Sequence, residues 1–377
     1  RPEIVRWACE RAGYDPRNLA RRIPQLPAWV RGEKQPTLKQ LESLAKATHT
    51  PIGYLFLPEP PEERLPVPDF RTVSGMTRER PSPDLLDTIY AMQRRQAWLR
   101  DTLVESEADA LAFVGSARLA DDPEAAGREM RRTVGLGDDW AATVHSWQEA
   151  VSGLRRATER LGVLAVINGV VGNNTHRTLD VEEFRGFALS DPYAPLIFVN
   201  GADAKSAQMF TLAHELAHVW VGAEGLSGFD GLFPGGSDVE DWCNRAAAEF
   251  LVPARELRAR WHEARRDASP FETLARAFKV SPIVAGRRAL DLQLVDRASF
   301  FEFYNAYAAQ ERRRSSRKVG GGDFYNNQNT RVGELFMTHV LRAALEGRIG
   351  FKDAYDLTGL RGGAFQEYAR RQGADLP

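Results

Sequence analysis

Cysteine is almost absent from this chain of 377 residues, since only Cys9 and Cys243 occur. Two thiols are too few for a disulfide framework or a cysteine-rich zinc site, and such usage is typical of a reducing compartment. An excess of one charge is also lacking, because 50 Lys and Arg face 51 Asp and Glu. The balance provides no general attraction to nucleic acid or anionic lipid. No apolar run reaches membrane-spanning length, so we expect a cytoplasmic protein with no membrane partner.

The composition that remains is that of a globular protein. Hydrophobic residues make up 43% and charged residues 27% of the chain. The length is sufficient for two or three domains with a substantial core. Charge is uneven along the chain, because residues 1–50 hold ten Lys and Arg against five Asp and Glu. This local surplus is compatible with phosphate contacts and equally with a solvated surface.

The N-terminal part is predicted to be a small helical domain at residues 1–57. Short apolar patterns separated by Gly13 and Pro24 indicate several helices, and Thr37 is placed to cap the last of them. Residues 58–68 then contain five prolines in eleven positions. Such a segment is extended and resists helix formation, so residues 58–82 are predicted to be a connector between domains.

The rest of the chain predicts an α+β fold, with a helical region at 83–160, a core at 161–260 and a helical C-terminal region at 261–377. In the core, three short apolar runs read as β-strands, and two amphipathic patterns follow that read as helices. The last strand directly precedes the first of these helices. An exposed edge strand can pair with the backbone of an extended peptide, so this last strand is a candidate for such pairing. The strands are predicted at 162–167, 184–189 and 195–200, and the helices at about 203–221 and 238–251.

The most informative motif is His-Glu-Leu-Ala-His at 214–218, within the first of these helices. Histidines four residues apart on a helix face the same way and can share one divalent metal. A glutamate directly after the first histidine lies beside the metal, where it can take a proton from water that the metal activates. The motif therefore predicts a zinc hydrolase with His214 and His218 as ligands and Glu215 as general base.

A catalytic zinc site usually has a third protein ligand, and the second helix supplies two candidates. Glu240 and Glu249 are nine residues apart and so lie on opposite sides of that helix. We favour Glu240, because Asn244 follows it on the same side and could hydrogen-bond a metal ligand. For Glu249 the simpler interpretation is that its carboxylate forms an ion pair with Arg245. Cys243, in the same helix, is read as a small buried apolar residue.

The order of strands and helices, with Phe210–Trp220 and Glu240–Pro253, resembles the ImmA/IrrE family of metallopeptidases. Members combine Phe-Thr-x-x-His-Glu-x-x-His with Glu-x-x-Ala-Asn-x-Phe-Ala-x-x-Leu-Leu-x-Pro. The resemblance implies a zincin-like fold, a zinc cofactor held by His214, His218 and Glu240, and catalysis by Glu215. Cys243 and Ala246 depart from the family's alanine and phenylalanine, which affects packing more than chemistry.

Residues 1–57 resemble a helix-turn-helix domain of the lambda-repressor kind, with Trp29–Ala45 as the most similar stretch. In such domains the second helix of the motif enters the major groove. Here it should lie at about 25–32, where prolines crowd its start and Gly32 ends it. Arg31 and Lys34 are the residues expected to contact DNA. The short helix leads us to expect DNA binding that is weak or non-specific.

The family resemblance also implies a substrate, namely a helix-turn-helix transcriptional repressor whose cleavage switches on a stress, mobile-element or toxin–antitoxin operon. The alternative is a DNA-binding regulator or an antitoxin-like binding protein with little or no proteolytic activity. The intact Glu215 argues against the alternative, because a binding protein has no chemical need for a general base. The sequence allows a homodimer without specifying one.

Overall fold

The protein is described by a computed structural model that covers residues 1–68, 80–137, 140–227, 237–314 and 324–373. It divides into two compact units. The first consists of residues 1–66 with 80–90, and the second of residues 67–68 with the described residues from 91 onward. One long helix, α5, which spans Pro83–Glu105, contributes to both. The boundaries of the five predicted segments stay predictions, since a division into two units is coarser than a division into five segments.

The first unit is a small bundle with its own apolar core. Ile4, Trp7, Leu26, Trp29 and Leu44 are nearly inaccessible to solvent and pack together. Each of its helices is too short to be stable alone, so this shared core provides the stabilisation. The unit contains α1 (Pro2–Arg11), α2 (Pro16–Leu19), α3 (Leu26–Val30), α4 (Leu38–Thr48) and a 3₁₀ turn (Ile52–Phe56).

The start of α4 confirms the predicted cap. The Thr37 hydroxyl accepts a hydrogen bond from the backbone amide of Gln40, and the Gln40 side chain accepts one from the amide of Thr37. This capping box satisfies two amides that the first turn would otherwise leave without partners. Helix α4 ends where His49 adopts a left-handed conformation with φ of 52°.

The proline-rich segment has neither helix nor strand between residues 58 and 68. Its first part is fixed to the first unit by the buried guanidinium of Arg11. That group donates two hydrogen bonds to the Glu63 carboxylate, at 2.6 and 2.8 Å, and a third to the His49 carbonyl. The first part of the predicted connector is therefore bound to the first unit at Glu63.

The second unit is built around a four-stranded sheet in the order β1–β5–β4–β6. Strands β1 and β5 are parallel, while β4 runs antiparallel to both β5 and β6. All residues of β1, β5 and β4 are buried, which explains the uninterrupted apolar sequences of these strands. Its strands are β1 (Leu164–Asn168), β4 (Gly186–Leu189), β5 (Leu196–Asn200) and β6 (Gly225–Ser227), and β2 (Val170–Val171) and β3 (Asn174–Thr178) form a separate hairpin.

The strand at 195–200, considered above as a substrate-pairing edge, is interior: β5 lies between β1 and β4. The edge beside β4 is formed instead by β6. This strand comes from a glycine-rich stretch that follows the helix with the His-Glu-Leu-Ala-His (HExxH) motif. The outward amide of Leu226 in β6 donates a 2.9 Å hydrogen bond to the carbonyl of Pro68, and Val67 is buried. The end of the proline-rich segment thus covers part of this edge.

The remaining helices complete the second unit. None of the helices in the described ranges is long and apolar enough to cross a membrane. Together with the strands they confirm the predicted α+β class and the helical C-terminal region. They are α6 (Pro123–Val134), α7 (Trp147–Arg160), α8 (Lys205–Val221), α9 (Asp238–Leu251), α10 (Ala254–Ala264), α11 (Pro270–Phe278), α12 (Pro282–Asp291), α13 (Arg297–Arg314), α14 (Phe324–Val332), α15 (Glu334–Leu345), α16 (Phe351–Thr358) and α17 (Gly363–Arg371). Of these, α7, α8 and α14 pack against the sheet.

Candidate metal centre

The helix that carries the HExxH motif, α8, is the most enclosed helix of the second unit. It packs against β4 and β5 on one side and against α7 and α9 on others. Residues 211–220 are all buried, which agrees with their apolar sequence around the motif. Gly222, with φ of 72°, ends the helix. The motif's polar groups are therefore placed inside the protein, where burial is unfavourable unless they have partners.

His214, His218 and Glu240 provide those partners for one another. The two Nε2 atoms are 3.1 Å apart. Glu240 Oε2 lies 3.2 Å from His214 Nε2, and Oε1 lies 3.0 Å from His218 Nε2. All three residues are buried, and their ligand atoms form a compact triangle. The structure thus brings together the three residues that the sequence predicted as ligands.

The size of this triangle matches a tetrahedral zinc site. Zinc binds imidazole nitrogen and carboxylate oxygen at about 2.0–2.1 Å, which places neighbouring ligand atoms about 3.3 Å apart. The Nε2–Nε2 separation of 3.1 Å is close to that value, and each imidazole has a different Glu240 oxygen at 3.0 or 3.2 Å. Two neutral imidazoles and one carboxylate also form a donor set that zinc accepts. The residues present therefore fit a zinc ion with one open coordination position.

Glu240 reaches this position because of how α9 begins. Ser237 caps the helix and accepts a hydrogen bond from the backbone amide of Glu240. The carboxylate consequently lies in the first turn, where the helix dipole favours negative charge. Only 6% of Glu240 is exposed. The helix start and the histidines both stabilise its ionised form, which is the form that binds metal.

The pKa values of the three groups reflect their mutual contact. Burial raises the pKa of Glu240, but the two histidines outweigh burial and hold it well below the ordinary range. Burial lowers the pKa of His214, yet the Glu240 carboxylate more than compensates and raises it. For His218 burial dominates, and its pKa is lowered. An ionised carboxylate beside a readily deprotonated imidazole is suited to a divalent cation.

Glu249, the other candidate for the third ligand, has a different environment at the far end of α9. Its carboxylate forms a buried ion pair with Arg288 of α12, and Arg128 of α6 approaches to 3.5 Å. It also accepts a hydrogen bond from the backbone amide of Ala254. The suggested ion pair with Arg245 was wrong, because partners distant in sequence occupy this carboxylate. Glu249 joins three helices and is not part of the metal site.

Asn244 lies one turn after Glu240, as predicted, and its amide is close to His214. The contact raises the pKa of that imidazole, although it falls outside ordinary hydrogen-bond geometry. Both Asn244 Oδ1 and His214 Nδ1 are buried. An amide in this place can fix the ring orientation of a histidine ligand. Its assignment as an outer neighbour of the metal stays a prediction.

Cys243 lies fully buried between the two motif helices. Burial raises the pKa of its thiol well above 9.0, and the nearby charges of Glu240 and Glu215 add to the effect. The thiolate, which is the reactive form, is therefore suppressed. The sequence-based reading of Cys243 as an apolar packing residue agrees with this environment.

The Glu215 carboxylate occupies the interior next to the triangle. The residue is completely inaccessible to solvent. It points toward β4, where its Oε1 lies against the backbone at Gly186. The motif is thus divided between two sides of α8: the histidines face α9, and the glutamate faces the sheet. Glu215 is thus not one of the three clustered residues, but its carboxylate is near enough to His214 to raise the pKa of that imidazole.

The residues predicted to contact DNA lie in the first unit, at the end of α3. This helix has only five residues, in agreement with the expected truncation. Arg31 is exposed and forms a bidentate ion pair with Glu33, at 2.6 and 2.9 Å. Its guanidinium is therefore already engaged, whereas Lys34 is exposed. Nothing in these positions establishes DNA binding.

Gly186 and Arg288 were missed by the sequence-based site prediction. A glycine inside an apolar strand run signals close approach of another group, so Gly186 could have been noticed. Arg288 gave no local signal, since its partner Glu249 lies 39 positions earlier in the chain.

Comparisons with known families agree with this centre. Residues 159–290 match the family model described as the IrrE N-terminal-like domain, Peptidase M78. The matched range contains the whole sheet and both motif helices. Residues 332–371 match a domain of unknown function (DUF8813). No curated protein and no solved structure gave a match to the chain. The matched range, with its cluster of two histidines and a glutamate, supports an ImmA/IrrE-type metallopeptidase.

Proposed function

We propose that this protein is a zinc-dependent endopeptidase that cleaves a cytoplasmic protein. The observation that carries the proposal is the triangle formed by His214, His218 and Glu240, with the Glu215 carboxylate beside it. Two imidazoles and a carboxylate, with a second carboxylate placed as a base, form the donor set of a peptide-hydrolysing zinc site. The match of residues 159–290 to a peptidase family supports the same reaction class.

Each residue has a separate task in this proposal. A zinc ion held by the triangle supplies Lewis acidity, which lowers the pKa of water and polarises a carbonyl group. Glu215 accepts the proton of the attacking water at its carboxylate and returns it to the departing amine. Glu240 holds its negative charge beside the imidazoles, and Asn244 orients the ring of His214. Burial of these groups strengthens their electrostatic effect on the reacting atoms.

The substrate we propose is a helix-turn-helix transcriptional repressor, whose cleavage would derepress a stress, mobile-element or toxin–antitoxin operon. The support is the resemblance of the second unit's motifs to the ImmA/IrrE family, together with the resemblance of residues 1–57 to repressor domains. Helix-turn-helix repressors bind DNA as dimers, so we propose the first unit as the element that recognises the repressor.

The test is incubation of the purified full-length protein with repressors encoded near its gene. We expect one discrete cleavage in the presence of zinc and none after chelation. Glu215→Gln keeps the size and hydrogen bonding of the side chain but cannot accept a proton, so it should reduce the rate by about two to four orders of magnitude while zinc stays bound.

The matched control is Glu182→Gln, which changes an exposed carboxylate outside the site. Its rate should equal that of the wild type. Equal cleavage by wild type and Glu215→Gln would remove Glu215 as the base. Stable binding of a repressor without cleavage by the zinc-loaded wild type would favour the alternative, in which the protein is a binding partner of the antitoxin kind.

A further inference from the structure

Gly186 begins β4 at the point where this strand passes the HExxH helix. A Cβ atom built on Gly186 would lie 2.6 Å from Thr211 Cγ2, 2.8 Å from Glu215 Oε1 and 2.8 Å from the carbonyl oxygen of Phe198. Real Cβ contacts are essentially never shorter than 3.0 Å. Any side chain at this position therefore collides with the general base, with a neighbour of the base or with the adjacent strand.

The backbone conformation does not explain the glycine. Several glycines of this chain have positive φ, the region that disfavours other residues, but Gly186 is not among them. Its place in a buried strand would also suit a β-branched residue, since glycine weakens strands. Lack of space beside α8 is the remaining reason for a glycine here.

The two side chains that fill this space come from one face of α8. Thr211 and Glu215 are four residues apart, so both face β4. The Thr211 hydroxyl donates a 3.2 Å hydrogen bond to the Ala207 carbonyl, which fixes the rotamer that turns its methyl group toward Gly186. The carboxylate of Glu215 is thus enclosed by a fixed methyl group on one side and by bare backbone on the other.

We propose that Gly186 is a positioning residue for Glu215: the absence of its side chain reserves the space in which the base's carboxylate lies. The inference rests on the proposed function, in which Glu215 takes the proton from water. A methyl group at position 186 would press on Oε1 and displace the carboxylate from the side of the metal triangle. A displacement of about 1 Å in a reacting group is enough to cost about 100-fold in rate.

The first experiment measures thermal stability and does not depend on activity. Gly186→Ala is compared in four backgrounds: wild type, Glu215→Ala, Thr211→Ala, and both changes together. If the methyl group collides with these side chains, its destabilising effect shrinks in each truncated background and is smallest in the last. Where Gly186→Ala alone fails to fold, recovery of a cooperative transition after truncation of Glu215 supports the inference, and failure to recover overturns it.

A matched control is Gly169→Ala. A Cβ atom there meets only backbone, at 2.7 Å from the amide nitrogen of Ala202. Its destabilising effect should be the same whether Glu215 is present or truncated. A Gly186→Ala effect that is equally independent of Glu215 would show that Gly186 serves only strand packing, and the inference would be wrong.

The second experiment separates positioning from general damage. In the Thr211→Ala background, which removes the closest collision and keeps Glu215, Gly186→Ala should lower kcat by roughly 10- to 100-fold. KM and zinc content should stay unchanged, since neither the substrate surface nor the ligands are altered. An unchanged kcat would overturn the inference, whereas a wild-type protein that cleaves no repressor would overturn the proposed function and leave the stability result intact.

Discussion

Glu240 and Glu249 are carried by the same helix, yet one carboxylate lies against two histidines and the other against two arginines. The two residues are nine positions apart, which places them on opposite sides of α9. One end of the helix therefore completes the cluster with the two histidines, and the other end fixes the helix to α6 and α12. This division allows the two roles to be separated by mutation.

The metal-binding role predicts about one equivalent of zinc per chain for the wild type. His214→Ala and Glu240→Ala should both lose most of it, because two ligands hold zinc much more weakly than three. Asp241→Ala is the control, since it changes the neighbouring carboxylate on the same turn and should keep the zinc. Metal content is measured after dialysis, and full retention in Glu240→Ala would contradict the assignment of the third ligand.

Because Glu249 has a structural role, replacement of its partner Arg288 should lower stability and leave zinc binding intact. Arg288→Met leaves the buried Glu249 carboxylate with the half-exposed Arg128 and the Ala254 amide as partners, and it should lower the free energy of unfolding by about 3–5 kcal/mol. The folded fraction should still bind one zinc. Arg287→Met is the control, because its pair with Asp291 is nearer the surface and should contribute less than about 1 kcal/mol. Denaturant unfolding measures both.

A pH dependence is predicted at Glu159, where α7 meets the start of α15. Burial raises the pKa of this carboxyl from 4.5 to about 7, although Arg155 and the backbone amides of Glu334 and Leu335 oppose the shift. The folded state therefore holds a proton that the unfolded state releases. The resulting stabilisation is complete below about pH 4.5 and is lost as the pH rises through 7.

Glu159→Gln should flatten this dependence. Between pH 5 and pH 8 the wild type should lose on the order of 3 kcal/mol of stability from this group, and the variant should lose much less. The Arg155 partner remains in both proteins, so the comparison concerns the slope and not the absolute stability. Unfolding by urea at both pH values measures the slope, and equal slopes would show that Glu159 titrates normally.

For the first unit we predict weak duplex binding that falls steeply with salt and depends little on sequence. Lys34→Ala should reduce it slightly, and Arg31→Ala should have less effect because Arg31 is paired with Glu33. Fluorescence anisotropy with two unrelated duplexes at two salt concentrations is a sufficient measurement. A nanomolar complex with one duplex only, at physiological salt, would show that α3 reads bases in spite of its five residues.

The elements near the metal were largely predictable because their signals are local. The spacing of His214 and His218 and the bounds of α9 follow from helical periodicity, and the three apolar runs correspond to β1, β4 and β5. The choice between Glu240 and Glu249 needed only helix geometry and a neighbouring amide.

What the sequence did not predict depends on contacts between distant segments. The order of the strands placed 196–200 in the interior, between β1 and β4, and the edge strand β6 came from a glycine-rich stretch without strand periodicity. The ion pair between Arg288 and Glu249 joins two helices through residues that are 39 positions apart in the chain. The hydrogen bonds from Arg11 to Glu63 likewise join residues 52 positions apart. Periodicity carries no information about such pairings.

The hydrogen bond from the Leu226 amide to the Pro68 carbonyl means that another segment of the chain already occupies part of the outer edge of β6. Its amide is already taken, so any extended peptide that adds to this edge must first displace a segment of the same chain. Proline has no N–H to donate, and the segment therefore cannot return the second bond of a full strand pairing at Pro68. The segment that ends at Pro68 would therefore compete with such a peptide for the edge of β6. Because it belongs to the same chain its effective concentration is high, but it lacks one of the hydrogen bonds of a full strand pairing.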